Sequence, residues 1–370
     1  MSKASMACVV DLFAGAGGLS VGASQAGARV GASVEMDPVA CQTLRANKKF
    51  HGNVLEGDVC QLAGDELRAV AKCGRKQPFV VVGGPPCQPF SKAAYWTEAG
   101  DDAAYRRLRA QGIEAKKPKA PTEARLDERR DLVYQFWRLV AESEADGFVF
   151  ENVPSIKHPR NRAVYDQLVT SARAAGYHLT ELTVNAVEYG VAQARERVIV
   201  LGSLTAAPRA PAPTHAVSGS KSLFLRPAVT AGEALEGLDR ADFFEPEEVV
   251  VGRWADHLRQ VPPGWNYKAH TAWAGHPNPT FVTETRFWNF LLKLSPERPS
   301  WTLAASPGPW VGPFHWNSRR LRTPEMAALQ GFPRGYRIEG SRRDRVRQMG
   351  NAVPVPVAKL IVSSVLETLH

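Results

Sequence analysis

The sequence predicts an α/β protein: a doubly wound, mostly parallel sheet with a second, smaller, loop-rich domain. Three observations carry that prediction. Short apolar runs, each closed by glycine, proline or an acidic residue, alternate with helix-like stretches as far as Ser203. This is the rhythm of a parallel sheet covered on both faces. It stops at a Pro/Ala-rich linker, Thr205 to Thr214. Beyond the linker, seven of the nine tryptophans (Trp254, Trp265, Trp273, Trp288, Trp301, Trp310 and Trp316) lie among many glycines and prolines. Such a segment is too aromatic to stay disordered, and its weak periodicity makes it loop-rich.

The elements follow in order. Ala7–Phe13 reads as a buried strand running into a glycine turn and a helix start. Arg29–Val34 is a second strand closed by Glu35, and Pro38 suits the first turn of a helix reaching about Asn47. Phe79–Val82 is a strand ending in Gly-Gly-Pro-Pro. Leu132–Ala145 has helical spacing, and Gly147–Phe150 is a strand ending at Glu151. Val164–Ala175 reads as a helix, with Leu179–Val184 and Arg197–Leu201 as strands. Arg322–Gly331 and Val355–Leu369 are helical again, and Gln348–Pro354 is expected to open the last helix. The first domain therefore spans residues 1–203, completed by the C-terminal helix at about 350–370; residues 204–349 form the second.

Composition narrows the function classes. No apolar run approaches the roughly 18 residues a membrane span needs, and the N-terminus shows no signal pattern. A cytoplasmic protein is expected. The five cysteines (Cys8, Cys41, Cys60, Cys73 and Cys87) form no C-x-x-C pair. Neither a disulfide framework nor a zinc site follows, and no metal is expected. The net charge of +9 suits a polyanion. Nine arginines between Arg319 and Arg347 face only Glu325, Glu339 and Asp344, which reads either as a solvated face or as a phosphate-binding one.

The chemistry lies in the strand ends. Asp11–Ser20 holds a glycine turn after the first strand, where backbone N–H groups can approach a ligand. Glu35, twenty residues after Gly15, could accept from ribose hydroxyls or be a surface carboxylate. The turn alone leaves adenosine-type cofactors in general open. Gly83-Gly-Pro-Pro-Cys-Gln-Pro-Phe-Ser91 places one thiol in a proline-stiffened loop at the carboxyl end of the sheet. That setting suits a nucleophile. Glu151 ends a neighbouring strand and can point into the same cleft. In Gln193-Ala-Arg-Glu-Arg197, alternation puts Gln193, Arg195 and Arg197 on one face. One glutamine and two arginines suit a polar base and phosphates.

The ordered set Asp11–Ser20, Gly83–Ser91, Glu151–Val153, Gln193–Arg197, Arg322–Pro333 and Gly350–Pro354 resembles the DNA (cytosine-5) methyltransferase family of the bacterial, restriction–modification kind. The likeness runs from about Ala7 to the end, with the Trp-rich segment in the place of the target-recognition domain. It implies the fold of S-adenosylmethionine-dependent methyltransferases and S-adenosylmethionine as cofactor. Phe13, Ala14, Gly15, Gly17 and Gly18 would line it, Glu35 would hold the ribose, Met36 would lie against the adenine and Asp58 would accept from its amino group. Pro86, Leu132, Asn351 and Val353 match further lining positions. Cys87 would attack C6 of a flipped cytosine, Glu151 would face N3 and the amino group, and Arg195, with Gln193 and Arg197, would hold the base or its phosphate. Ser91, Arg319, Arg320 and Arg322 would contact double-stranded DNA. The polar segment 92–127, with Lys116, Lys117 and Lys119, is longer than in compact members and would close over DNA. The resemblance also implies a monomer, functionally paired with a restriction endonuclease without a stable complex, or standing alone. A tRNA cytosine-5 methyltransferase shares the Cys loop, but its usual Cys-Phe-Thr motif is missing here, since all five cysteines precede residue 88.

Overall fold

The computed structural model describes residues 6–90, 104–105, 108, 113–116, 127–217, 224–284 and 286–369. Ser91, Lys117, Lys119 and most of the 92–127 segment lie outside the described residues. The chain runs through β1 (Cys8–Leu12), α1 (Gly18–Gln25), β2 (Arg29–Glu35), α2 (Pro38–Ala46), β3 (Asn53–Glu56), α3 (Gly64–Val70) and β4 (Phe79–Gly83). It continues through α4 (Leu132–Glu142), β5 (Gly147–Asn152), α5 (Arg162–Ala174), β6 (His178–Asn185), β7 (Gln193–Ala194) and β8 (Glu196–Ser203). After the linker come α6 (Ala231–Ala234), α7 (Ala255–Gln260), β9 (Ser300–Trp301), α8 (Thr323–Leu329), α9 (Arg342–Asn351) and α10 (Val355–Leu366).

Seven strands form one sheet in the order β3-β2-β1-β4-β5-β8-β6. The first five in that order run parallel, and β8 is antiparallel to both β5 and β6. The central strands read as unbroken apolar runs because both faces are covered. Every residue of β1, β4 and β5 is buried. Alternation sorts them: Val10, Val81 and Phe148 pack under Leu67, Phe136 and Leu168 of α3, α4 and α5. Val9, Val80 and Val149 pack under Leu19 of α1 and Ile361 of α10. The fold is therefore doubly wound, as predicted, and the switch between crossover directions beside β1 and β4 opens a crevice at their carboxyl ends. No single helix among the described residues is long and apolar enough to cross a membrane.

Three details differ from the sequence expectation. Gln348–Asn351 closes α9, and the last helix begins at Val355 with Pro354 as its cap. The second domain has one core of its own, around Leu258, Tyr267, Phe290 and Phe314. Its later part shares a core with the first domain, because Leu321, Met326, Tyr336 and Met349 pack with Ala16 and Val21. The tryptophans of this aromatic segment divide: Trp254 and Trp310 flank the separate core, whereas Trp265, Trp273 and Trp288 are exposed.

Candidate active site

The glycine turn is shaped from beneath by Asp11. Its carboxylate accepts from the Ser20 N–H at 3.0 Å and from the Ser20 hydroxyl. It thereby satisfies one of the open donors in the first turn of α1. Asp11 is fully buried, and that burial pushes its carboxyl up to about 7, with the Ser20 bonds opposing. Phe13, Gly15 and Gly17 all take positive φ, a region glycine enters freely and phenylalanine does not. The Ala14 N–H reaches the Val34 carbonyl at 3.1 Å. A side chain on Gly18 would stand 2.1 Å from the Val353 carbonyl oxygen, and one on Gly17 would strike the His51 ring. Tyr336 donates to the Ala16 carbonyl at 2.6 Å and meets His51 Nε2 at 2.7 Å. Burial lowers His51 to about 4, so it is neutral there.

Glu35 ends β2 facing this turn. Its carboxylate accepts from Gly15 N–H at 2.8 Å, Met36 N–H at 2.9 Å and Asp37 N–H at 2.8 Å. A carboxylate has about four acceptor sites, so about one remains for a ligand hydroxyl. Accepting from two hydroxyls, as the sequence expectation has it, requires one backbone donor to let go. Met36 is exposed beside it. Asp58 follows β3 and accepts from the Cys60 N–H at 2.9 Å. Pro86 follows β4, Leu132 opens α4, Asn351 ends α9 exposed, and Val353 is buried against the turn. The turn, Glu35 and Val353 are thus in direct contact, while Leu132 and Asn351 lie at the ends of their helices.

The cysteine loop leaves β4 next to the end of β5. Asn152 donates to the Pro85 carbonyl at 3.1 Å, and the Phe90 N–H donates to the Cys87 carbonyl at 3.0 Å. A side chain on Gly84 would meet Glu151 Oε2 at 2.7 Å, so the carboxylate stands over the loop backbone. Glu151 is ion-paired with Arg197 Nε at 2.7 Å. Cys87 is half-buried. Burial raises its thiol, Arg197 and Arg195 lower it, and Glu151 raises it. One thiol, one carboxylate and two guanidiniums therefore share one electrostatic site.

Alternation behaves as predicted. Gln193 and Arg195 are buried and Arg197 is half-buried, while Ala194 and Glu196 are exposed. Gln193 Oε1 accepts from the Leu303 N–H at 3.3 Å. Arg195 is 1% exposed, donates through Nη2 to the Gly350 carbonyl at 2.9 Å, and has no hydrogen-bond partner for Nε or Nη1 among the described residues. Its burial, with Arg197 nearby, lowers its proton affinity. A buried guanidinium with two N–H groups unpaired among the described residues keeps donors that an acceptor at this point would satisfy.

Two assignments of DNA contacts are corrected. Arg319 is buried and grips Glu325 with both terminal nitrogens, at 2.8 and 2.7 Å, with Asp239 at 2.8 Å. Arg322 is buried against Glu248 and also donates to the Leu238 and Arg240 carbonyls at 2.8 Å. Both are engaged by carboxylates and carbonyls of the second domain and are buried. Arg320 is half-buried and donates to the Glu247 and Val249 carbonyls at 3.1 and 3.0 Å. With Arg342 and Arg343 it lines a groove of about 600 Å³ between the Leu303–Phe314 loop and α8–α9. The residues that sequence reasoning left without a role are Asp11, Asn152 and Gly350. Each stood inside a quoted motif, which was the available signal.

The family model for C-5 cytosine-specific DNA methylase matches residues 7–223 and 269–367. The chain is 35% identical to the Type II methyltransferase M.SacI of Streptomyces achromogenes, over 98% of this chain and 93% of that one. It is 27% identical to the Type II methyltransferase M.NgoFVII of Neisseria gonorrhoeae, over 97% and 86%. The fold matches an Escherichia coli prophage-encoded protein at TM-score 0.67 and 22% identity, covering 98% and 99% of the two chains. It also matches S. pombe Dnmt2 methyltransferase at TM-score 0.56 and 15% identity, covering 98% and 99%.

Proposed function

Because the chain belongs to the C-5 cytosine-specific DNA methylase family, we propose that it methylates C5 of a flipped-out cytosine in a specific double-stranded DNA sequence, through a covalent bond between Cys87 and C6. It is a DNA methyltransferase of the type II restriction–modification kind. The observation that carries the mechanistic reading is the convergence of Cys87, the Glu151–Arg197 ion pair and the part-satisfied Arg195 at the ends of β4, β5 and β7.

The turn fits S-adenosylmethionine on two observations. The left-handed backbone at Phe13, Gly15 and Gly17 bends the chain around the crevice, and Glu35 beside exposed Met36 offers an acceptor next to an apolar surface. Phe13, Ala14, Gly15, Gly17, Gly18, Glu35, Met36, Asp58, Pro86, Leu132, Asn351 and Val353 would hold it. When bound, it supplies a methyl group already activated on a sulfonium sulfur, so no metal is called for.

Extrusion of the cytosine costs a few kcal/mol and exposes its C6 face. The Cys87 thiolate then bonds to C6, and the displaced electron pair makes C5 nucleophilic. Glu151, held by Arg197, faces N3 and the amino group and stabilises a proton at N3. Arg195 offers Nε and Nη1 to the base or its phosphate, with Gln193 in support. After C5 takes the methyl group, C5 gives up its proton to solvent, the C5–H pair restores the C5–C6 double bond and the C6–sulfur pair returns to Cys87, leaving 5-methylcytosine. The arginines that line the groove, Arg320, Arg342 and Arg343, meet phosphates. As the modification half of a restriction–modification pair, the enzyme acts as a monomer in the bacterial cytoplasm, on DNA that a separate endonuclease also reads.

The test is transfer of labelled methyl groups to duplex DNA, with sequencing at base resolution to locate them. Cys87→Ala should abolish transfer and leave cofactor affinity within about twofold. Undiminished methylation by that variant, or preference for tRNA over DNA, would overturn the reading.

A further inference from the structure

We propose that Gly350 is a positioning residue for the methyl-transfer reaction, acting through Arg195. The inference rests on the reading of Arg195 as the side chain that holds the flipped base or its phosphate. A helix leaves its last carbonyls without intrahelical donors. Here the Gln348 carbonyl accepts from the Ala352 N–H at 3.0 Å, and the Met349 carbonyl from Gln330 Nε2 at 2.6 Å. The Gly350 carbonyl accepts from Arg195 Nη2 at 2.9 Å. A guanidinium at a helix C-terminus meets the negative end of the backbone dipole. That bond uses one edge of the fork, and Nε and Nη1 have no partner among the described residues.

The bare Cα of Gly350 is needed for a second contact. A side chain there would lie 2.4 Å from the Ala305 Cα and N and 2.6 Å from the Ala304 carbonyl carbon. All three are backbone atoms, so the chain itself would have to move. This segment is stitched to the three residues that precede Arg195. Ser300 N–H donates to the Ala192 carbonyl at 2.8 Å, Thr302 Oγ1 to the Ala194 carbonyl at 2.7 Å, and Leu303 N–H to Gln193 Oε1 at 3.3 Å. Three residues after Gly350, the Val353 carbonyl closes on Gly18. One short stretch thus sets the depth of the second domain's segment, the orientation of the base-holding arginine and the wall of the cofactor turn. Gly350 is the point where the first two meet.

The experiment is a double-mutant cycle with methyl transfer as readout. Gly350→Ala should lower kcat by about 10²-fold, the penalty of an ångström-scale misplacement. The Kd for cofactor and KM for DNA should stay within about threefold. Arg195→Lys should lower kcat as well, because one ammonium cannot serve the helix carbonyl and present a rigid fork together. In the Arg195→Lys background, Gly350→Ala should cost less than about threefold, since the geometry it protects is already gone. Equal losses in both backgrounds, or a cofactor Kd weakened in step with kcat, would overturn the proposal. If Gly350→Ala fails to fold, Arg195→Lys carries the test, and full kcat in that variant would overturn it. A wild-type protein that does not methylate DNA would instead sink the proposed function, whereas active wild type with an additive cycle sinks only the role of Gly350.

Discussion

Replacing Glu325 by alanine removes the carboxylate that Arg319 grips at 2.8 and 2.7 Å, and that also accepts from the Arg322 N–H at 2.7 Å. Glu325 is fully buried and Arg319 nearly so. Breaking a buried ion pair costs about 3–5 kcal/mol, because the surviving charge is stranded. Arg319 would keep Asp239 at 2.8 Å, which is more than half exposed and therefore screened, and buried Glu248 at the longer distance of 3.8 Å. The lower end, about 3 kcal/mol, is expected. For 370 residues the unfolding entropy is about 0.8 kcal/mol/K, so the melting temperature should fall by about 4 °C. Thermal denaturation followed by circular dichroism measures this. The companion variant Arg319→Leu should melt early for the same reason and should leave the salt dependence of DNA binding unchanged. A lost phosphate contact would lower that log–log slope by about 0.9. If Glu325→Ala melts with the wild type while Arg319→Leu flattens the salt dependence, Arg319 is a DNA contact and the structural assignment is wrong.

Two further outcomes follow from the cofactor turn. Gly18→Ala forces a methyl group to 2.1 Å from the Val353 carbonyl; overpacking of this kind costs about 1–3 kcal/mol, and cofactor affinity by equilibrium titration should weaken at least about tenfold. Unchanged affinity would show that the turn tolerates a wider opening. Asp11→Asn tests the raised carboxyl. Asp11 ionises near 7 when folded but near 3.9 when unfolded, so its contribution is greatest below about pH 4 and is lost as pH rises to about 7, by up to about 4 kcal/mol. The asparagine variant should therefore lose less stability than wild type across that window in urea titrations. Parallel stability curves would refute the assignment.

Most of the fold was legible because the informative signals are local. β1, β4 and β5 are short apolar runs with an acidic residue or a glycine at or next to their last position (Asp11, Gly83 and Glu151), and they need no distant partner to be recognised. Cys87, Glu151 and Arg195 were legible for the same reason, since each sits at a strand end within a few residues of its signal. What escaped was non-local. Arg319, Arg322, Arg342 and Arg345 read as an excess of charge, yet their carboxylates include Asp239, Glu245, Glu247 and Glu248, more than 70 residues earlier. A charge count within a window cannot see such partners. The end of α9 was misread because Arg342–Arg347 has almost no apolar periodicity; its Ser341–Asp344 capping box marked the true start. The occupancy of Glu35 escaped because backbone N–H groups carry no residue identity.

The contacts between the glycine turn and the chain's far end also set an order in time. Tyr336 reaches the Ala16 carbonyl across 320 residues, and Asn47 reaches the Arg337 carbonyl across 290. During synthesis the strands emerge and can begin to pair well before those partners exist, because chains appear at about 5–20 residues per second. Over that interval the turn lacks the Tyr336 hydroxyl and the Val353 wall, and Arg195 lacks the carbonyl that orients it. A nascent chain still tethered to the ribosome before Val353 emerges would therefore hold its cysteine loop yet be unable to methylate, so activity switches on only after translation has passed that segment.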